Sequence, residues 1–203
     1  MFVGLSATIR NLARISMILP LTMPFALLFL LFHFQLFFRT TSSAATRAPT
    51  PRFLNITSIS ANAQKESVIE CWQLAAPFIA SAAAGTAGAL FAQLGKAGAT
   101  SFGLLPAEFD GGLHNAPVVQ YVAFIAGEAI LSLPNSTQTA TIKGGRNGLI
   151  LAADTKNVST FGHRTVYPSK KDTVAIQIPT AGNEIPLHKV LYAGACKGDE
   201  QVR

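Results

Sequence analysis

The chain has 203 residues, of which 49% are hydrophobic and only 13% are charged. This composition fits one ordinary domain with an appendage, and it excludes a disordered, acidic or coiled-coil protein. The formal net charge is +6, but residues 1–64 carry five arginines and no acidic residue, whereas residues 65–203 carry 11 basic and 10 acidic residues. The basic charge therefore does not lie on the folded part, and we expect no nucleic-acid partner.

Residues 1–40 predict a targeting segment. The 24 residues 15–38 carry no charge and follow Arg10 and Arg14, and about 20 apolar residues are enough to cross a bilayer. The small residues at 42–48 offer a site for signal peptidase, so residues 1–40 form either a cleaved signal peptide or an uncleaved signal-anchor transmembrane helix. Both alternatives place the rest of the chain outside the cytosol, either secreted or attached to a membrane only through residues 15–38.

Residues 41–64 are rich in Ser, Thr, Ala and Pro and show no apolar period, which predicts a disordered linker. Sequons at Asn55, Asn135 and Asn157 are candidate N-glycosylation sites and indicate a glycoprotein, although such triplets also arise by chance.

Cys71 and Cys196 are the only cysteines and bracket most of the remaining chain. In an oxidising compartment an even number of cysteines favours a disulfide, and the alternative is two separate buried thiols.

From residue 67 onward, short apolar runs alternate with Gly, Pro, Asn and Asp, a pattern typical of strands and turns. We predict an all-β domain over residues 65–198, a sandwich or barrel, followed by a tail at 199–203. Gly127 is predicted to take a positive φ in a tight turn within a meander of hairpins. The predicted strands cover 67–74, 89–94, 101–105, 118–125, 128–133, 139–142, 148–152, 164–167, 173–178 and 189–193.

Polar side chains interrupt the apolar pattern at a few positions. Alternation along an extended chain places His114 and Gln120 on one apolar, inward face, where polar groups need partners. His163 follows a later polar loop, and His188 lies in a proline-containing loop where we expect it at the surface. Neither a nucleophile elbow nor a phosphate-binding loop is present, so no catalytic residue is assigned.

The segment around His114 resembles the first motif of the cupin family. In that motif two histidines are followed by a glutamate and then by a glycine. Here His114 stands at the first histidine and Gly127 at the glycine. Ala116 replaces the second histidine and Gln120 replaces the glutamate.

A second stretch resembles the second cupin motif. Its opening is matched by the segment that starts at Gly148, with Asp154 at the position of the family's proline, and His163 matches its histidine. The family's final asparagine is missing. The resemblance covers about residues 67–196 and is closest to small secreted cupin-like proteins of filamentous fungi. It implies a double-stranded β-helix, that is, a jelly-roll barrel.

The resemblance also implies that His114, Gln120 and His163 meet in the barrel cavity. There they bind a small ligand, such as a carbohydrate or an aromatic metabolite, or they hold a divalent metal, with Asp110 or Asp154 as candidates to complete the ligand set. Three functions remain open: a small-ligand-binding protein, a metal-dependent dioxygenase or isomerase, and a structural or effector glycoprotein of the cell surface. Cupin barrels often pair through their edge strands, so the resemblance makes a homodimer a candidate assembly.

Overall fold

The structure is a computed structural model that describes residues 50–198, 200 and 201. The predicted targeting segment and the first part of the predicted linker lie outside the described residues. Within residues 50–198, 200 and 201, no helix is long and apolar enough to cross a membrane. The described part contains a short 3₁₀ helix at Ala181–Asn183 and these strands: β1 (Phe53–Ala61), β2 (Ser67–Pro77), β3 (Ile79–Ala80), β4 (Leu90–Phe91), β5 (Ser101–Leu105), β6 (Phe109–His114), β7 (Gln120–Ala126), β8 (Glu128–Ser132), β9 (Thr139–Lys143), β10 (Leu149–Ala152), β11 (His163–Tyr167), β12 (Thr173–Pro179) and β13 (His188–Ala193).

The strands form three sheets, which confirms the all-β prediction. A seven-stranded sheet has the order β13-β2-β1-β10-β7-β12-β5, a four-stranded sheet has the order β6-β11-β8-β9, and β3 pairs with β4. Strands β1 and β10 run parallel, and the other paired strands are antiparallel. In the described part of the chain none of the sheets closes into a barrel.

The central strands of the seven-stranded sheet are buried on both faces. Along β7, Val122 and Phe124 belong to the core between the two large sheets, whereas Tyr121 belongs to a second core on the opposite face. Strand β10 divides in the same way, with Ile150 in the first core and Leu151 in the second. Successive side chains of a strand point to opposite faces. Strands β7 and β10 therefore supply apolar side chains to both cores, as strands in the middle of this sheet do.

The linker prediction is wrong for residues 53–61, which form β1. This strand lies inside the seven-stranded sheet, between β2 and β10. Two of its buried polar residues have partners that are distant in sequence: Asn55 Nδ2 donates to the carbonyl of Glu200 at 2.7 Å, and Thr57 Oγ1 accepts from the backbone N–H of Cys196 at 3.0 Å. These partners remove the cost of burying polar groups, but the local sequence does not show them.

Several of the other predicted strands are present. Strand β5 has the predicted bounds, whereas the predicted strand at 89–94 is reduced to the two residues of β4. Gly127 takes a φ of 80°, as predicted. The predicted hairpin is wrong, however, because β7 and β8 lie in different sheets. A Cβ at Gly127 would lie 2.4 Å from Thr173 Oγ1. Glycine at this position therefore lets the chain pass close to β12 as it leaves β7 for β8 in the other sheet.

Cys71 and Cys196 form the predicted disulfide, with Cα atoms 4.6 Å apart. It joins β2 to the segment that follows β13, and it suggests an oxidising environment. The last described residues also belong to the domain, because the backbone N–H of Asn55 donates to the carbonyl of Gln201 at 2.9 Å. The separate tail predicted at 199–203 is therefore wrong for its described residues.

Candidate functional site

A small cavity of about 60 Å³ lies between the two large sheets. Its apolar wall includes Phe124 and Leu131 from the core between the sheets. Its polar lining includes His114, Gln120 and His163. The structure therefore brings together all three residues that the sequence analysis selected.

The three residues reach the cavity from different strands. His114 ends β6 and lies opposite His163 of β11, with ring centroids 4.7 Å apart. Gln120 begins β7 in the other sheet. Both residues line the cavity, but the prediction that they share one inward strand face is wrong. Residues 115–119 connect the two sheets, so the two residues lie on different sheets, and His114 is exposed.

His163 is held by a buried chain of hydrogen bonds. Its Nδ1 lies 2.8 Å from Oδ2 of Asp154, which also accepts a 2.7 Å bond from Ser67 Oγ. Ser67 Oγ lies 2.7 Å from Ser159 Oγ, and the latter accepts a bond from the N–H of Gly162 at 3.0 Å. An ionised carboxylate only accepts hydrogen bonds. With Asp154 ionised, Ser67 Oγ and His163 Nδ1 therefore both donate to it.

This hydrogen-bond network determines which nitrogen of His163 is free to accept a bond from a ligand. Because Asp154 accepts from Nδ1–H, the neutral ring keeps its lone pair on Nε2. The same reasoning applies to His114, whose Nδ1 lies 3.0 Å from the carbonyl oxygen of Gly112. Both histidines therefore present a basic Nε2.

Gln120 is the third polar group of the cavity. Its side chain is only 6% exposed, and no hydrogen bond joins its amide to any group of residues 50–198, 200 or 201. Gln120 lines the cavity, and an amide both donates and accepts hydrogen bonds, so this side chain is available to a polar species there.

Gly162 positions His163 next to β6. Its φ is 75°, and a Cβ there would lie 2.1 Å from the carbonyl oxygen of His114. The side chain of Asn115 secures the same loop by donating to the carbonyls of Asp154 at 3.1 Å and Ser159 at 3.0 Å. The close approach of β6 to this loop is thus possible only with glycine at 162.

The two aspartates considered as additional metal ligands differ in how far their oxygens are used: Asp154 accepts bonds only through Oδ2, and its Oδ1 is buried without a partner among the described residues. Asp154 is bonded to His163, as described above. Asp110 pairs with Arg164 across β6 and β11, and the hydrogen bond from Arg164, with a second one from the N–H of Gly112, lowers the pKa of Asp110 to about 2. Ser67 was not selected from the sequence, since it lies far along the chain and nothing local links it to His163.

The donor set is small for a metal centre. Among the described residues no group of three or more His, Cys, Asp or Glu side chains is arranged to hold a metal ion. The residues selected from the sequence offer two imidazole nitrogens, from His114 and His163, and one neutral amide oxygen, from Gln120; the cavity lining adds only further uncharged polar side chains, from Thr165, Tyr167 and Gln177. Such a set fits a divalent ion only when water or another ligand completes its coordination.

The remaining predicted sites divide into buried and exposed positions. Asn55 is only 2% exposed and its Nδ2 donates to the carbonyl of Glu200, so its burial argues against it as a glycan acceptor. Asn135 and Asn157 are exposed outside the strands, where a glycan would fit. His188 is not a free surface residue, because it is half-buried and its ring stacks on Trp72 with centroids 3.4 Å apart.

Comparison of the chain with protein-family models, with curated proteins and with solved structures found no match. The described part of the protein is defined by its own structure: an all-β domain with one disulfide and a cavity with polar lining residues between its two large sheets.

Proposed function

We propose that the protein is an extracytoplasmic cupin-like protein that binds a small ligand between its two sheets. The observation that carries the proposal is the unused hydrogen-bonding capacity of the cavity. His114, His163 and Gln120 line one cavity, and no hydrogen bond to a described residue uses the Nε2 atom of either histidine or the amide of Gln120. Two packed sheets that are antiparallel except for the β1–β10 pair also suit the jelly-roll architecture that the cupin resemblance implies.

The size of the cavity restricts the ligand. Ligand pockets usually measure roughly 300–1,000 Å³, whereas this cavity measures about 60 Å³. A carbohydrate or an aromatic ring would not be enclosed, contrary to the expectation from the sequence. The ligand is a species of a few atoms, or the polar end of a larger molecule that enters past the exposed ring of His114. Two Nε2 lone pairs favour a ligand that donates hydrogen bonds or acts as a Lewis acid.

A metal-dependent enzyme is the second candidate, and the Asp154–His163 hydrogen bond favours it. Metal-binding histidines commonly donate their other ring N–H to a carboxylate, which orients the ring and raises its basicity. His114, His163 and Gln120 would hold the ion, and a bound divalent ion would supply Lewis-acid chemistry at the cavity. The third candidate is a structural or effector glycoprotein whose cavity binds nothing.

The location outside the cytosol rests on three observations. The disulfide is typical of oxidising compartments. The apolar segment 15–38 suits a signal peptide or a signal anchor, and the exposed Asn135 and Asn157 suit glycans.

The test uses the full chain, expressed through a secretory pathway without chelators or a histidine tag. Elemental analysis and thermal unfolding compare the wild type with the His114→Ala/His163→Ala variant, and Lys156→Ala, at an exposed residue that does not line the cavity, serves as the control. Ethylene glycol, acetamide and Zn²⁺ are the added probes. We expect a rise in melting temperature with at least one probe, lost in the double variant and retained in Lys156→Ala.

Each outcome selects one candidate. A near-stoichiometric transition metal that only the double variant loses would favour the metal-dependent enzyme. Binding of a non-metal probe would support the small-ligand proposal. The absence of both, in protein that unfolds cooperatively, would overturn it in favour of the structural glycoprotein.

A further inference from the structure

A second groove, of about 290 Å³, lies on the Trp72 side of the seven-stranded sheet. It is lined by Glu70, Trp72 and His188, together with the apolar Val158 and Ile185. It shares no lining residue with the cavity between the sheets. Any ligand here is therefore independent of the function proposed above.

Glu70 has a fixed orientation in this groove. Ser60 Oγ donates to its Oε2 at 2.9 Å, and Trp72 Nε1 donates to the same oxygen at 2.8 Å. Its other oxygen, Oε1, accepts no hydrogen bond from residues 50–198, 200 or 201, and no lysine or arginine of that part of the chain forms an ion pair with it. The groove thus contains a preorganised carboxylate with one free oxygen and no cation.

His188 adds a second free acceptor. Its ring lies flat on Trp72, with an angle of 5° between the two planes. Its Nδ1 lies 2.8 Å from the carbonyl oxygen of Pro186. A carbonyl only accepts, so Nδ1 carries the hydrogen and Nε2 keeps the lone pair.

The unused polar atoms of these residues are therefore acceptors, while the indole N–H and the hydroxyl hydrogen of Ser60 are already donated to Glu70. An ammonium group has three N–H donors and no acceptor, so it complements such a groove. We propose that this groove binds a protonated primary amine. The ammonium group donates to Glu70 Oε1 and His188 Nε2, and the apolar body of the ligand packs against Val158 and Ile185, which are 39% and 47% exposed.

Benzylamine tests the proposal, and benzyl alcohol is its neutral counterpart. Isothermal titration at pH 7.5 compares both ligands on the full chain, on Glu70→Gln and on Glu184→Gln. The first variant keeps an oxygen for Ser60 and Trp72 but removes the charge, and the second removes a charge from an exposed residue next to Ile185. We expect benzylamine to bind the wild type and Glu184→Gln equally, and to bind Glu70→Gln about tenfold more weakly or worse, as loss of a hydrogen bond to a charged group predicts.

His188→Phe is the second variant in case Glu70→Gln does not fold. It keeps the stack on Trp72 and removes Nε2, and we again expect weaker binding of benzylamine. The proposal is overturned if benzyl alcohol binds as tightly as benzylamine, if both groove variants bind benzylamine like the wild type, or if the wild type binds neither compound.

Discussion

His114 and His163 are direct neighbours in the register of β6 and β11, yet they differ in burial. The side chain of His163 is almost completely buried and bonded to Asp154, whereas His114 is exposed and bonded only to a backbone carbonyl. The pair therefore combines one fixed imidazole inside the cavity with one at its entrance. We therefore expect a ligand of the kind proposed above to reach the exposed His114 before the buried His163.

Replacement of Asp154 by asparagine is expected to lower the free energy of unfolding by about 1–3 kcal/mol. Ser67 and His163 both donate to Oδ2, and Oδ1 is buried without a partner among residues 50–198, 200 and 201. The NH₂ group of an asparagine would either face these donors or remain buried without an acceptor. Urea unfolding measures the loss, and Asp172→Asn, at an exposed residue, should leave the stability unchanged.

The same Asp154→Asn variant should change the tautomer of His163. Nitrogen NMR of the imidazole is expected to show Nδ1–H in the wild type and a mixture of tautomers in the variant. A wild-type spectrum dominated by Nε2–H would contradict the direction of the hydrogen bonds described above.

Gly162→Ala is expected to be strongly destabilising. The new Cβ would approach the His114 carbonyl oxygen to 2.1 Å at a φ of 75°, and a non-glycine residue in this region of φ already costs about 1–3 kcal/mol. Gly182→Ala is the matched control, because its φ is 68° and the nearest atom to its Cβ is 3.9 Å away. Denaturant unfolding should show a larger loss for Gly162→Ala. Equal losses would mean that backbone strain alone explains both.

Removal of the disulfide should lower stability by about 4–5 kcal/mol, because it closes a loop of more than 100 residues in the unfolded chain. Cys71 and Cys196 are 125 positions apart. The Cys71→Ser/Cys196→Ser variant should unfold at lower urea concentration than the wild type, and dithiothreitol should have no further effect on it. Identical midpoints for the variant and the wild type would contradict the prediction.

Tyr121 should make the protein sensitive to alkaline pH. Burial raises its pKa from 10.0 to about 12, because the phenolate is disfavoured in the core. Because the folded protein favours the neutral phenol, the contribution of Tyr121 to stability is complete below pH 10 and is lost as the pH rises toward about 12. In Tyr121→Phe this loss of stability at alkaline pH should be smaller.

At neutral pH the Tyr121→Phe variant should be about as stable as the wild type, since the hydroxyl has no partner in the described part of the chain. Unfolding curves at several pH values test both points, and a stability decline as steep in Tyr121→Phe as in the wild type would contradict the prediction.

The pair of Asp110 and Arg164 should respond to acid and to salt. Arg164 lowers the pKa of Asp110 from 3.8 to about 2, so its contribution to stability is present above pH 3.8 and is lost as the pH falls toward about 2. Both side chains are exposed, so we expect a small effect that salt weakens. Carboxyl NMR should show a higher pKa in Arg164→Gln or in 1 M NaCl, and an unchanged pKa in Lys170→Gln, which removes the other surface ion pair. A pKa of Asp110 that stays near 2 in Arg164→Gln would contradict the assigned cause.

Local patterns in the sequence predicted much of the fold. Alternating apolar residues bounded by Gly, Pro and Asn identified strands such as β5 and β12, because such patterns depend on neighbours within a few residues. Strand β1 was missed because both of its faces are buried and its buried Asn and Thr side chains are bonded to residues near the C-terminus. Strand β6 was missed because Gly111 and Gly112 are typical of a loop.

The sequence by itself determined that the domain is all-β, that Cys71 and Cys196 are suited to pair, and that His114, Gln120 and His163 are the polar groups to consider at its centre. Only the tertiary structure decided that Asp154 and Ser67 hold His163, that the cavity measures about 60 Å³, and that Glu70 and His188 share a second groove. These features depend on contacts between sheets and loops that are distant along the chain, and no short-range pattern encodes which distant residue will donate to a buried acceptor.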